Sequence, residues 1–191
     1  AKTIADESTV LLKNENQLLP LDAKSLKSIA IIGPNADQVQ FGDYTWSRNN
    51  KDGVTPLQGI KNRVNKNTAI HYAKGCSLTS LDTSGIAEAV EAAKNSEVAV
   101  IFGGSASAAL ARDYKSSTCG EGFDLNDLNL TGAQSQLIRE VYRTGTPVIL
   151  VLVTGKPFAI EWEKNNLPAI LVQWYAGEQA GNSIADILFG E

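Results

Sequence analysis

Ser28-Ile29-Ala30-Ile31-Ile32-Gly33-Pro34 is the stretch on which the fold turns. Its apolar run is rich in β-branched residues and stops at a Gly-Pro pair, as expected of a strand buried on both faces of a parallel sheet. Working outward, Val98 to Phe102 repeats the pattern and stops at Gly103-Gly104, and Pro147 to Val153 and Ala169 to Trp174 repeat it again. Ala69 to Tyr72 reads as a fifth strand. Helical patterns lie between them. Thr55 can cap a helix with Pro56 at its first position, Gln58 can close a capping box, and Leu57, Ile60 and Val64 share one face. Ser84 is predicted to cap a helix running to Asn95, Thr131 and Gln134 to box the start of one ending near Arg143, and Glu178 to Phe189 to form the last. Ile4, Ser8, Leu11 and Leu12 are spaced as in a helix over Ala1 to Leu12. The class is α/β: a three-layer α/β/α sandwich with a mostly parallel sheet of five to six strands and right-handed crossovers. Residues 1–191 read as one domain.

The 191 residues, 43% of them hydrophobic and 20% charged, suffice for one domain with its own core. Seventeen Lys+Arg against 21 Asp+Glu leave a net charge of −4, which argues against a nucleic-acid partner. No stretch is apolar enough to span a bilayer, so no membrane partner is expected, and no signal peptide opens the chain. The sequence contains no methionine, which leads to the expectation that it is a piece of a longer protein. Cys76 and Cys119 are too few for a disulfide scaffold and lack zinc-ligand spacing; one bridge and two buried free thiols both remain open readings.

In such sheets ligands sit beyond the C-terminal ends of the strands, on the loops after Ile32, Tyr72, Phe102, Val153 and Trp174. Gly33-Pro34-Asn35-Ala36 is no phosphate-binding turn, since it lacks the glycine spacing and Pro34 removes a backbone N–H. No G-x-S-x-G elbow exists, and the single histidine, His71, falls inside a strand, where a hydrogen-bonded structural role is the plainer reading. No metal or cofactor is expected. The segment from Ser105 to Asn129 is too long for an ordinary strand-to-helix connection, and loops of that length are often functional. Within it, Glu121 lies between Gly120 and Gly122. That backbone freedom suits either a carboxylate projected into a cleft or a solvated turn glutamate. Tyr44 and Trp46, beside Asp43, Arg48 and Asn49, suit stacking on a sugar ring, or else packing under the loop.

These segments carry a resemblance. Glu7 to Leu21 (E-S-T-V-L-L-K-N-E-N-Q-L-L-P-L), Ile29 to Asp37 (I-A-I-I-G-P-N-A-D) and Phe41 to Tyr44 (F-G-D-Y) come first. Tyr72 to Cys76 (Y-A-K-G-C), Cys119 to Asp124 (C-G-E-G-F-D) and Trp174 to Gly190 (W-Y-A-G-E-Q-A-G-N-S-I-A-D-I-L-F-G) follow in order. Together they resemble the α/β sandwich domain of family 3 glycoside hydrolases, the β-glucosidase and β-xylosidase family.

The resemblance implies a retaining β-glycosidase acting on terminal β-linked glucose or xylose, with a nucleophilic aspartate on a TIM-like barrel that this chain lacks. It implies Glu121 as general acid/base, with Asp113 and Asp124 as alternatives, and Asp43, Tyr44 and Trp46 along the outer substrate subsites. The partners it implies are a β-linked oligosaccharide or glycoside and the barrel of the same enzyme, and it leans towards a periplasmic or extracellular location. The chain alone is expected to be inactive. Relatives commonly read E-G-x-D-R, whereas Leu125 follows Asp124 here. If that arginine orders the loop in relatives, a Cys76–Cys119 bridge is one substitute. Glu178 resembles a family position too, but a carboxylate at a helix start is favoured by the dipole and reads as structural. The alternative from another class is a non-catalytic domain that binds sugar or packs on a partner.

Overall fold

A computed structural model describes residues 1–47, 49–107 and 118–191. Its six strands are β1 (Val10–Asn14), β2 (Ser28–Ile32), β3 (Ala69–Ala73), β4 (Val98–Gly104), β5 (Val148–Val153) and β6 (Ala169–Gln173). They lie in the order β1-β6-β5-β4-β2-β3. β2 to β6 are mutually parallel, and β1 runs antiparallel along β6.

The alternation in β2 distributes the core. Ile29 and Ile31 point into a cluster with Leu57 and Ile60 of α2 (Pro56–Arg63) and Ile184 and Leu188 of α6 (Ala180–Phe189). Ala30 and Ile32 join the opposite cluster, with Ala89 and Ala93 of α3 (Ile86–Lys94) and Leu137, Ile138 and Val141 of α4 (Gln134–Tyr142). A short α5 (Glu161–Asn166) lays Trp162 against that second face. The sheet is thus covered on both sides, as its continuous apolar strands demand. Seven residues of β4 and six of β5 are all buried.

The order of strands places the functional edge. The chain runs from β2 outward to β3, then returns past β2 to lay down β4. The loops after β2 and β4 therefore leave adjacent strand ends in opposite senses, the point where α/β sheets form a ligand crevice.

The first twelve residues differ from the helix expected there. Helix α1 (Lys2–Ser8) ends at Thr9, whose backbone turns extended (φ −73°, ψ 132°), and the chain becomes β1. Val10, Leu11 and Leu12 are 43%, 52% and 53% exposed, so they form no buried helical stripe; backbone pairing with β6 decides their conformation. A bulge between Leu11 and Lys13 marks this edge strand. Caps differ in detail too. Thr55 accepts from the Gln58 N–H at 3.2 Å as expected, but the Gln58 side chain donates to Asn62 instead of closing a box. Ser84 bonds Asp82, and helix α3 starts after Gly85. Thr131 bonds the Leu78 carbonyl, and Gln134 is buried, accepting from the Gly104 N–H and donating to the Gly104 carbonyl. Gln58 and Ser84 are taken by partners within four residues, whereas Thr131 and Gln134 also bond distant backbone at Leu78 and Gly104.

Helices α2 and α6 cross backbone to backbone. A Cβ on Gly59 would lie 1.9 Å from the Gly181 carbonyl oxygen, and one on Gly181 2.1 Å from that of Thr55. Helix propensity alone would make Gly59→Ala stabilising by about 1 kcal/mol. The overlap falls on backbone that cannot rotate away, and overpacking of that kind costs about 1–3 kcal/mol. Gly59→Ala is therefore expected to lower the urea midpoint; a midpoint equal to or above the parent's would show that the helices separate freely.

Candidate functional site

The site is built on the loops after β2, β4, β5 and β6. Asn35, fully buried just beyond β2, ties two of them together: its amide donates to the carbonyls of Gly103 (3.2 Å) and Ser105 (3.3 Å) and its oxygen accepts from Gln40 at 2.7 Å. These side chains fill the crevice floor. Gly33 makes this approach feasible, because at its φ of +113° a Cβ would meet the Phe102 carbonyl oxygen at 2.3 Å.

Ser105 and Tyr175 gather the remaining loops. The Ser105 hydroxyl donates to Thr154 Oγ1 at 3.0 Å, accepts from the Gly155 N–H at 3.2 Å and lies 2.7 Å from Tyr175 Oη. Cys119 Sγ lies 2.8 Å from the same Tyr175 oxygen. Thr118 completes the root of the long loop, its N–H donating to the Ala106 carbonyl at 3.2 Å and its hydroxyl oxygen accepting from the Ala106 N–H at 2.9 Å. Residues 107 and 119 pair as an isolated parallel bridge. Tyr175, Ser105 and Thr154 were not singled out from the sequence; their place on the loops after β6, β4 and β5 is the signal that could have marked them.

Glu121 stands two residues beyond this root. It is exposed, in the tight turn that Gly120 and Phe123 close, with Gly120 at φ +133° and Gly122 at +71°. Both glycines use left-handed torsions that other residues rarely adopt, which is why the residue between them can stand outward. Asp43, half-buried on the loop after β2, accepts from the Glu121 backbone N–H at 2.7 Å through Oδ2 and from the Ser107 hydroxyl through Oδ1. The structure thus brings Asp43 and Glu121 together. Tyr44 and Trp46 sit on the same loop as Asp43, 80% and 102% exposed, so packing beneath the loop is excluded for both. Tyr44 holds a positive φ of 63°, unusual for an aromatic residue. Asp124 is exposed, and Asp113 lies outside the described residues.

Of the two readings left open for Cys76 and Cys119, the structure has the buried free thiols, and the bridge is absent. Cys119 belongs to the Tyr175 cluster, whereas Cys76 joins the core on the α3–α4 face. The described arms of the loop are held by hydrogen bonds at Thr118, Cys119 and Asp43. His71 pairs in register with Ala30 inside β3, a strand position as expected. Glu178 lies in a short 3-10 turn, Gly177–Gln179, and accepts the Val54 N–H through its backbone carbonyl. Among the described residues, no group of three His, Cys, Asp or Glu side chains could hold a metal, and no helix is long and apolar enough to cross a membrane.

The fold and the rim together define an α/β sandwich domain that presents a glycine-flanked carboxylate and exposed aromatics on neighbouring loops. Residues 9–191 match the glycosyl hydrolase family 3 C-terminal domain, and the chain belongs to that family. It is 40% identical to a β-xylosidase of Formosa agariphila and 37% identical to a periplasmic β-glucosidase of Salmonella typhimurium, in each case over 100% of this chain and 26% of the relative. A β-glucosidase structure from Erythrobacter marinus superposes with a TM-score of 0.84 at 32% identity, covering 99% of this chain and 28% of that one. A family 3 exo-β-xylosidase in complex with a xylobiose aziridine probe also superposes at 0.84, with 30% identity over 99% of this chain and 23% of its own. The chain spans about a quarter of the length of these relatives.

Two measurements check the thiol chemistry. Unfolding without reductant should release two titratable thiols; fewer would establish a bridge. Burial pushes the Cys76 thiol up from 9.0 to about 11, against a weaker pull from Lys74. Burial and the neighbouring Cys119 likewise push the Tyr175 hydroxyl up. The unfolded chain gives up these protons first, so it binds fewer protons than the folded chain across this interval. Stability is therefore retained below the ordinary thiol value of 9.0 and falls as pH climbs towards about 11. Urea midpoints on both sides of the interval should show the fall, and Cys76→Ala should reduce it.

Proposed function

We infer that this chain is the acid/base-bearing domain of a retaining β-glycosidase that removes terminal β-linked glucose or xylose. The observation that carries the reading is the position of Glu121: an exposed carboxylate on a glycine-flanked turn, above the strand ends, in a family 3 domain. The partner is a TIM-like barrel of the same enzyme carrying the nucleophile. The length of the relatives, about four times that of this chain, supports such a partner. Exposed apolar side chains at Val10, Leu11, Leu12 and Trp174 offer surface for further protein contact. The name of the Salmonella relative supports a periplasmic or extracellular location.

In the first step the barrel carboxylate attacks the anomeric carbon while Glu121 gives its proton to the glycosidic oxygen, so the C–O bond breaks and the aglycone leaves neutral. Glu121, now a carboxylate, then takes a proton from the water that displaces the nucleophile and frees the sugar. Retention requires the two carboxyls about 5–5.5 Å apart, which a mobile approach of separate domains would not hold without a fixed loop root. Tyr44 and Trp46 offer aromatic faces to the sugar beyond the scissile bond.

The intact enzyme carrying Glu121→Ala tests the assignment. A positioned acid/base contributes roughly 10²–10⁴-fold, and matters most where the leaving group is poor. Hydrolysis of a disaccharide should fall steeply, that of an aryl glycoside with a good leaving group should fall less, and azide should restore turnover by intercepting the glycosyl-enzyme. Small, equal losses on both substrates would return Glu121 to a turn residue and move the search to Asp113 and Asp124. The isolated chain should hydrolyse neither substrate; measurable turnover by it would overturn the two-domain reading.

A further inference from the structure

Asp43 was expected at the substrate, yet its carboxylate is turned to the protein. Oδ2 accepts the backbone N–H of Glu121 at 2.7 Å, and Oδ1 accepts the Ser107 hydroxyl. Those two donors lie on opposite arms of the loop after β4, and Asp43 itself comes from the loop after β2. One side chain therefore joins three chain segments at the rim of the crevice.

The need for such a contact follows from the turn itself. Gly120 and Gly122 carry no Cβ, so within the turn closed by the Phe123 N–H on the Gly120 carbonyl, torsion changes at either glycine would swing the Glu121 carboxylate. The root cannot prevent this. Cys119 and Thr118 fix the chain at Tyr175 and Ala106, but the rotation axes at Gly120 and Gly122 lie beyond them. A charged acceptor on the Glu121 N–H fixes the orientation of the Gly120–Glu121 peptide plane, and bonds from a backbone N–H to a carboxylate are among the stronger ones.

We propose that Asp43 is a positioning residue for the acid/base, acting through the Glu121 backbone and Ser107 and not through a sugar hydroxyl. The proposal rests on Glu121 being the acid/base, and the experiment separates the two. In the intact enzyme, kcat and KM are measured for a disaccharide and for an aryl glycoside with a good leaving group, in Asp43→Ala, Glu121→Ala and the double variant. Misplacing a catalytic group by about 1 Å can cost on the order of 10²-fold. Asp43→Ala should thus lose about 10- to 100-fold in kcat on the disaccharide and distinctly less on the aryl substrate, with KM little changed. In the Glu121→Ala background the same change should add almost nothing, since there is no acid left to misplace. Asp43→Asn, which keeps an acceptor for the Glu121 N–H, should recover part of the loss, and it carries the comparison if Asp43→Ala does not fold.

Equal losses on both substrates that persist in the Glu121→Ala background, with a raised KM, would make Asp43 a sugar ligand and overturn the proposal while leaving Glu121 in its role. A Glu121→Ala enzyme without leaving-group dependence would overturn both. In the 191-residue chain, Asp43→Ala should also speed amide hydrogen exchange at Glu121; unchanged exchange there would show that the bond does not hold the turn.

Discussion

Everything at the functional rim depends on the parallel pairing of β2 with both β3 and β4. Because β2 lies between its sequence neighbour and the strand laid down next, the loops that leave β2 and β4 start side by side and diverge. Asn35 then closes the gap between them from within, bonding the Gly103 and Ser105 carbonyls of the β4 exit. Close backbone approach at Gly33, impossible with a side chain, is the condition for that contact. Once the two exits are joined, Asp43 on one and Glu121 on the other fall within a single hydrogen bond.

Below the rim, the loop is organised by small polar groups. Ser105, Thr154, Cys119 and Tyr175 come from the exits of three strands and meet at the Tyr175 phenol oxygen and the buried Ser105 hydroxyl. Such a cluster is costly if any member is left unsatisfied, so it favours one arrangement of the strand exits over many. The hydrogen-bonded cluster lies in the floor, and the exposed Glu121 turn stands above it.

The sheet was legible because burial on both faces leaves an unmistakable mark: short β-branched runs ending in glycine, as at Ile29–Ile32 and Val98–Phe102. Edge strand β1 was not, because a strand paired on one side with its side chains exposed needs no pattern of its own, and Leu11 and Leu12 fit a helix equally well in isolation. Of the rim, the glycines around Glu121 pointed to a special backbone, and the resemblance supplied the role proposed for it. The partner of Asp43 was invisible, since residues 43 and 121 are joined only through the order of the strands. The thiols show the same limit. Nothing in the spacing of Cys76 and Cys119 tells that one faces a tyrosine and the other a hydrocarbon core.

The stitching of the long loop has an evolutionary consequence. Its two arms are fastened at Ala106–Thr118 and at 107–119, below the turn that carries Glu121. The position of the Glu121 turn is therefore set by those fastenings and by Asp43, and the chain length between Ser107 and Thr118 does not enter it. Closing a longer loop costs little, about 0.6 kcal/mol for each doubling of its length. Insertions and deletions between Ser107 and Thr118 can be accommodated while the turn keeps its place, so that the length of the loop and the position of Glu121 are free to evolve at different rates.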